Sequence, residues 1–270
     1  MGTLSDPEIE TFLTFAARLA DAARAAILPH FRQPLTVTDK AGGASAYDPV
    51  TVADRNAESE IRALIHEHYP SHGILGEEHG HEPGTSPLRW VIDPIDGTRA
   101  FITGVPLWGT LIALSDEHGP ILGVVDQPFL RERFSGSRLG ARYEFPDREG
   151  VLRTRACSSL DQAILYCTHP NMFPQEPQRG AFADLEAAVR LSRFSGDCYS
   201  YCMLAFGLVD VVVDAGMNSW DIHAIIPIIE AAGGVVTGWD GGSAVQGGKV
   251  LAAGDRAAHE QALRILSRAA

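Results

Sequence analysis

Asp93-Pro94-Ile95-Asp96-Gly97-Thr98 sets two carboxylates, a turn and a hydroxyl directly after the apolar pair Val91-Ile92. A short strand ending this way brings two hard oxygen ligands to one point, and Gly97 permits the sharp turn that follows. Oxygen-only ligation suits Mg²⁺, which takes carboxylates, carbonyls, water and phosphate in preference to imidazole or thiolate. If Gly97, Thr98 and Arg99 open a helix, their backbone N–H groups face any anion held there. An Asp-Pro turn with a capping Asp fits the same six residues, so the remainder of the chain has to decide.

Three further acidic segments bear on the choice. Asp48-Pro49-Val50-Thr51-Val52-Ala53-Asp54 precedes a helical pattern, Gly76-Glu77-Glu78 follows the apolar Gly73-Ile74-Leu75, and Trp220-Asp221 precedes another apolar run. Each has a plain alternative: Asp54 and Asp221 as helix caps, Glu77 and Glu78 as solvated loop charges. Several acidic groups at strand ends are nevertheless what two or three clustered Mg²⁺ ions require.

In this order, the four segments resemble the motifs of the inositol monophosphatase family, Mg²⁺-dependent phosphatases, over nearly the whole chain. The resemblance implies an α/β fold, a layered α-β-α-β-α sandwich, with the site where two lobes meet. It implies that Glu77, Asp93, the Ile95 carbonyl, Asp96 and Asp221 ligate two or three Mg²⁺ ions. Gly97 and Thr98, with Arg99 beside them, would meet the phosphate. Thr98, paired with Asp48 and Glu77, would orient and help deprotonate the attacking water, so that no protein nucleophile is needed. A homodimer acting on a small phosphorylated metabolite is implied as well.

Two stretches, 99–111 and Gly123-Val124-Val125-Asp126-Gln127-Pro128, resemble the histidinol-phosphate phosphatase branch more than the inositol branch. That substrate carries an ammonium and an imidazole, whereas inositol phosphate offers neutral hydroxyls. An additional pocket carboxylate therefore favours the amine. Asp197 replaces a neutral residue of the inositol enzymes and is the candidate, joined by Asp214, where the family places an acidic residue against the non-phosphate end. Unpaired carboxylates in a cleft are costly without a cation to meet them. Capping the helix over 198–208 is the alternative role for Asp197.

Composition narrows the class. The 270 residues are 45% hydrophobic and 21% charged, as in a soluble globular chain. A net charge of −12 without a Lys/Arg run argues against nucleic acid. Cys157, Cys167, Cys198 and Cys202 lack a Cys-x-x-Cys spacing and read as reduced core thiols. His66, His68, His79 and His81 read as solvated. No basic leader or membrane-length apolar run is present, and the expectation is a cytoplasmic protein.

The elements that must position these groups are partly legible. Ser5-Asp6-Pro7-Glu8 starts a helix that apolar spacing carries to about Leu28. Further helices are expected over 56–68, 182–191, 199–207 and 222–232. Strands are expected over 35–39, 108–115, 121–126, 131–135, 164–168, 209–213 and 235–237. The chain reads as one phosphatase domain, 1–270, with a seam near 140–150 between a metal-binding lobe and a substrate-side lobe. The glycine-rich 41–45 segment suits either a loop that closes over the site or a plain hairpin.

Two other classes fit parts of the pattern. A non-catalytic metal or phosphate-binding protein needs no water-orienting hydroxyl, yet Thr51 and Thr98 are present. A nucleotide-binding fold needs Gly-x-Gly-x-x-Gly between strand and helix, which is lacking. Among phosphatases, inositol or sugar monophosphates are alternative substrates. An adenosine bisphosphate phosphatase would want a base-binding patch.

Overall fold

The computed structural model describes residues 4–34, 36–39 and 49–270. Asp48 and the 41–45 segment lie outside them. Helix α1 (Asp6–Ile27) starts at a reciprocal cap between Ser5 and Glu8, with Pro7 in its first turn and Ile9, Phe12, Ala16, Leu19 and Ala23 buried. Strands β1 (Thr38–Asp39) and β2 (Pro49–Val50) form a small pair. Among the described residues of the expected 35–39 strand, Thr38 and Asp39 are strand. Helix α2 (Val52–His68) begins earlier than the apolar spacing suggests, because Thr51 caps it and Asp54 closes a capping box at its third position.

Strands β3 (Gly73–Gly76), β4 (Gly80–Glu82) and β5 (Arg89–Asp96) precede the one-turn α3 (Thr98–Ile102). Strands β6 (Gly109–Asp116), β7 (Gly119–Gln127), β8 (Glu132–Ser137), β9 (Gly140–Glu144) and β10 (Glu149–Val151) then run as a meander. Together they form an eight-stranded sheet of order β10-β9-β8-β7-β6-β5-β3-β4, antiparallel except where β3 lies parallel to β5. This sheet runs through Val151. The change of sheet thus falls after the expected seam near 140–150.

The rest of the chain comprises β11 (Ile164–Cys167), α4 (Gln178–Ala188), β12 (Leu191–Phe194), α5 (Asp197–Ala205), β13 (Val211–Met217), α6 (Ser219–Ile222), α7 (Ile225–Ala231), β14 (Val235–Gly238), β15 (Gly248–Ala253) and α8 (Arg256–Leu266). Its sheet has the order β12-β11-β13-β15-β14. The helix expected to reach 191 stops at Ala188, since Leu191 pairs with Ile164 as an edge strand. The helix expected over 222–232 is two helices. Pro227 has no N–H and its ring clashes with the carbonyl four residues back, at His223. The His223 ring meanwhile meets the Ser115 hydroxyl at 2.9 Å and the Val245 carbonyl at 2.8 Å.

Three cores hold five layers together. One joins α1 and α2 to the first sheet around Ile61, Trp90 and Trp108. A second encloses α5 and α7 between the two sheets, and a third seats α4 and α8 on the outer face of the second sheet. Each fully buried large apolar side chain contributes roughly 1.5–3 kcal/mol. The result is an α-β-α-β-α sandwich. Buried Asp126 on β7 ties α1 to the sheet, accepting from Arg24 at 2.6 Å and Arg133 at 2.9 Å.

Candidate metal and phosphate site

Residues three apart on a regular strand face opposite sides. Between Asp93 and Asp96 the pairing of β5 with β6 shifts register, and that irregularity turns both carboxylates to one place. Pro94 has no N–H for the ladder, and its carbonyl accepts from the Thr110 hydroxyl at 2.8 Å. Gly97 follows at φ +83°, a conformation glycine adopts freely, and opens α3. The Thr98 hydroxyl donates to the Ile95 carbonyl at 3.0 Å, and the Ile95 N–H to Asp93 at 3.0 Å.

Two more elements converge on this point. Glu77 follows β3, and its N–H donates to the Ile92 carbonyl at 3.2 Å, which carries the parallel β3–β5 pairing to the C-terminal ends of both strands. Asp221 lies at the third position of α6 and closes a capping box with Asn218. Asn218, not Asp221, is the cap. One carboxylate oxygen each from Asp93, Asp96 and Asp221 lies within 4.8 Å of the others.

The charges acting most strongly on this cluster are carboxylates. Burial and then Glu77 push the Asp93 carboxyl well above its ordinary range. Burial and then Asp96 push Asp221 up to about 8, and burial followed by Asp197 brings Asp96 to about 7. Asp54, on the first turn of α2, is raised mainly by burial and also feels Glu77. Crowding like charges out of water is unfavourable unless a cation joins them. Hard oxygen donors, gathered within one ion's reach and without sulfur or imidazole among them, fit a divalent cation of the Mg²⁺ type.

Beyond the turn, Asp197 begins α5 at φ +42°, and Gly196 takes the cap position. Its side chain lies against the Gly97 turn: a Cβ at Gly97 would stand 3.2 Å from the Asp197 carboxyl carbon. Burial and then Asp214 raise Asp197 to about 7, while Arg99 acts in the opposite direction. Among the described residues no hydrogen bond reaches the Asp197 carboxylate, so helix capping does not account for it. Asp214 is placed differently from the expectation. Its carboxylate is fully buried behind Asp197 and accepts from the Thr168 N–H at 2.7 Å and the Tyr201 hydroxyl at 2.9 Å, so it has no open face toward a ligand.

The stretch around Asp126 and Gln127 is also structural. Asp126 is held by arginines, and the Gln127 amide bridges the Trp108 carbonyl and the Leu130 N–H at 3.1 and 2.6 Å. Sequence reasoning missed the Cys198 N–H, which donates to Asp96 at 2.7 Å and links the turn to α5. It also missed Glu58, buried beneath the turn that carries Glu77. The one signal was its position four residues after Asp54 on the same helix face. All four cysteines are free and buried.

Comparison with known proteins gives the family. Residues 8–270 match the inositol monophosphatase family, and the chain belongs to that family as a phosphatase. It is 40% identical to the chloroplastic bifunctional phosphatase IMPL2 of Arabidopsis thaliana, over 97% of this chain and 77% of that one. Identity to a histidinol-phosphatase of Chlorobaculum parvum is 35%, over 91% and 92% of the two chains. An inositol monophosphatase from Zymomonas mobilis superposes with a TM-score of 0.84 at 38% identity, covering 98% of this chain and all of the other. No helix among the described residues is long and apolar enough to cross a membrane.

Proposed function

We propose that the chain is a Mg²⁺-dependent phosphomonoester hydrolase that converts L-histidinol phosphate and water to L-histidinol and phosphate. Glu77, Asp93, the Ile95 carbonyl, Asp96 and Asp221 would hold two or three ions, which supply Lewis-acid polarisation of the phosphoryl group and a lowered water pKa. The backbone of Gly97 and Thr98 meets the phosphate oxygens, and Arg99 adds positive charge at the rim. The Thr98 hydroxyl and Glu77 orient the attacking water, with Asp48 completing the group by family resemblance. In-line attack breaks the phosphorus–oxygen ester bond, and the leaving alkoxide takes up a proton as L-histidinol.

One observation carries the choice of substrate: the half-buried Asp197 carboxylate lies against the Gly97 turn, and among the described residues it accepts no hydrogen bond. A substrate ammonium there would satisfy it. Asp214 acts from behind, adding negative charge that strengthens the attraction for a cation. The 35% identity to a histidinol-phosphatase supports the same reading. Inositol or sugar monophosphate hydrolysis is the second reading, favoured by the 38% identity to an inositol monophosphatase.

The test is phosphate release by EDTA-stripped, Mg²⁺-restored protein, comparing kcat/KM for L-histidinol phosphate and myo-inositol 1-phosphate. A preference of about a hundredfold for the first, roughly 2.7 kcal/mol, is expected. Comparable or reversed values sink the histidinol reading. Asp197→Asn should erode that ratio tenfold or more, since a group acting on substrate charge discriminates between the two. A cytoplasmic homodimer belongs to the same proposal, and light scattering of the purified protein checks the dimer.

A further inference from the structure

Glu58 is a charged side chain with no exposure to solvent, and it lies outside the acidic cluster. One of its oxygens accepts the Glu78 N–H at 2.8 Å, and the other accepts the His79 N–H at 3.2 Å and the Arg62 guanidinium at 2.8 Å. Arg62 continues to the Gly80 carbonyl at 2.5 Å and to Glu82 at 3.2 Å. The His79 ring returns to α2 as well, meeting the Ser59 hydroxyl at 3.2 Å. Asp54, Glu58 and Arg62 are four residues apart and share one buried face of α2. The turn after β3 is therefore fastened along α2 from Glu78 to Glu82.

Glu77 is caught between two attachments. On its N-terminal side the sheet holds it through the Ile92 carbonyl, and on its C-terminal side Glu58 holds the next two amides. Gly76 is part of the device, because a Cβ there would lie 1.9 Å from a Glu58 oxygen. Three donors converge on Glu58, which a carboxylate accepts without conflict. A carboxamide turns its own N–H₂ toward one of them.

We propose that Glu58 is a positioning residue: by fixing the amides that follow Glu77, it aims the Glu77 carboxylate at the cation site. The inference rests on the reading above that Glu77 holds Mg²⁺. Partners behind a metal ligand typically matter by about 10–100-fold in affinity or activity.

The experiment is calorimetric binding of Mg²⁺ to stripped wild-type, Glu58→Gln and Glu77→Gln proteins, at a temperature where circular dichroism shows each folded. Glu58→Gln is expected to raise the Mg²⁺ Kd about tenfold or more. Its kcat should recover at raised Mg²⁺, with KM for the phosphoester within about threefold of wild type. A purely structural role would lower Tm and leave the Mg²⁺ Kd of the folded protein unchanged. If Glu77→Gln loses affinity while Glu58→Gln keeps it within threefold, the positioning role is overturned and the metal reading stands. If Glu77→Gln keeps wild-type affinity, both fall. Should Glu58→Gln fail to fold, Glu58→Asp keeps the charge, shortens the reach, and is judged by the same Kd.

Discussion

Asp126 on β7 and Asp93 on β5 are both buried carboxylates in one sheet, yet they are surrounded in opposite ways. Asp126 is met by Arg24 and Arg133, whose guanidinium groups supply hydrogen bonds as well as charge. Asp93 is met by Glu77, Asp96 and Asp221, which raise the cost of its charge. Where a chain supplies its own counter-charge, a buried carboxylate is architecture. Where it gathers only more carboxylates, it leaves the counter-charge to a ligand.

The contrast breaks most directly under paired substitutions. Asp93→Asn should lower Mg²⁺-dependent kcat/KM by on the order of a thousandfold or more, while leaving the Tm of stripped protein unchanged or higher, because a repulsion is removed. Asp126→Asn should do the reverse. It takes the buried acceptor from Arg24 and Arg133, leaving them only the exposed Asp21, and costs about 3 kcal/mol in urea unfolding, with Mg²⁺ affinity kept. If Asp126→Asn also abolished Mg²⁺ binding, the division between the two regions would be wrong.

Mg²⁺ itself sharpens the comparison. At a hundred times its Kd it should stabilise the protein by about 2.7 kcal/mol, an effect that Asp93→Asn removes. The stripped protein should show the opposite dependence on pH from an ordinary acid-labile fold. Asp96 and Asp221 titrate at about 7 and 8 when folded, above the 3.8 of a free carboxyl, so the native state binds more protons. Stability should then fall as pH rises from about 4 through 8 in EDTA, and Mg²⁺ should abolish that fall. The smallest effect expected is from Tyr201→Phe. Loss of its bond to Asp214 should cost about 1 kcal/mol and shift substrate preference only slightly, since Asp214 acts from behind Asp197.

The carboxylate cluster was legible because its members end strands or open helices, where spacing and turn residues survive in one dimension. Asp197 stood out in the sequence as an added carboxylate, but its place beside the Gly97 turn did not. The burial of Asp214 was not legible, because nothing in 209–217 shows that Thr168 and Tyr201 will close over it. Glu58 was hidden for a related reason: a glutamate in a helix is ordinarily solvated. Strand β15 and helix α8 went unread, although α8 buries a stripe of Ala258, His259, Ala262 and Leu266 against an otherwise polar helix. The break before α7 had a visible cause in Pro227, which apolar spacing overrode.

That break also determines how the molecule comes apart. Asp221 rides on a one-turn helix whose His223 is bonded to Ser115 in the first sheet and to Val245, in the connection between β14 and β15, in the second. A cation shared by Asp93, Asp96 and Asp221 would consequently clasp the first sheet to α6 and, through His223, to the connection before β15. Loaded protein should unfold in one calorimetric transition, and stripped protein should lose that cooperativity first, with the two sheets melting at separate temperatures.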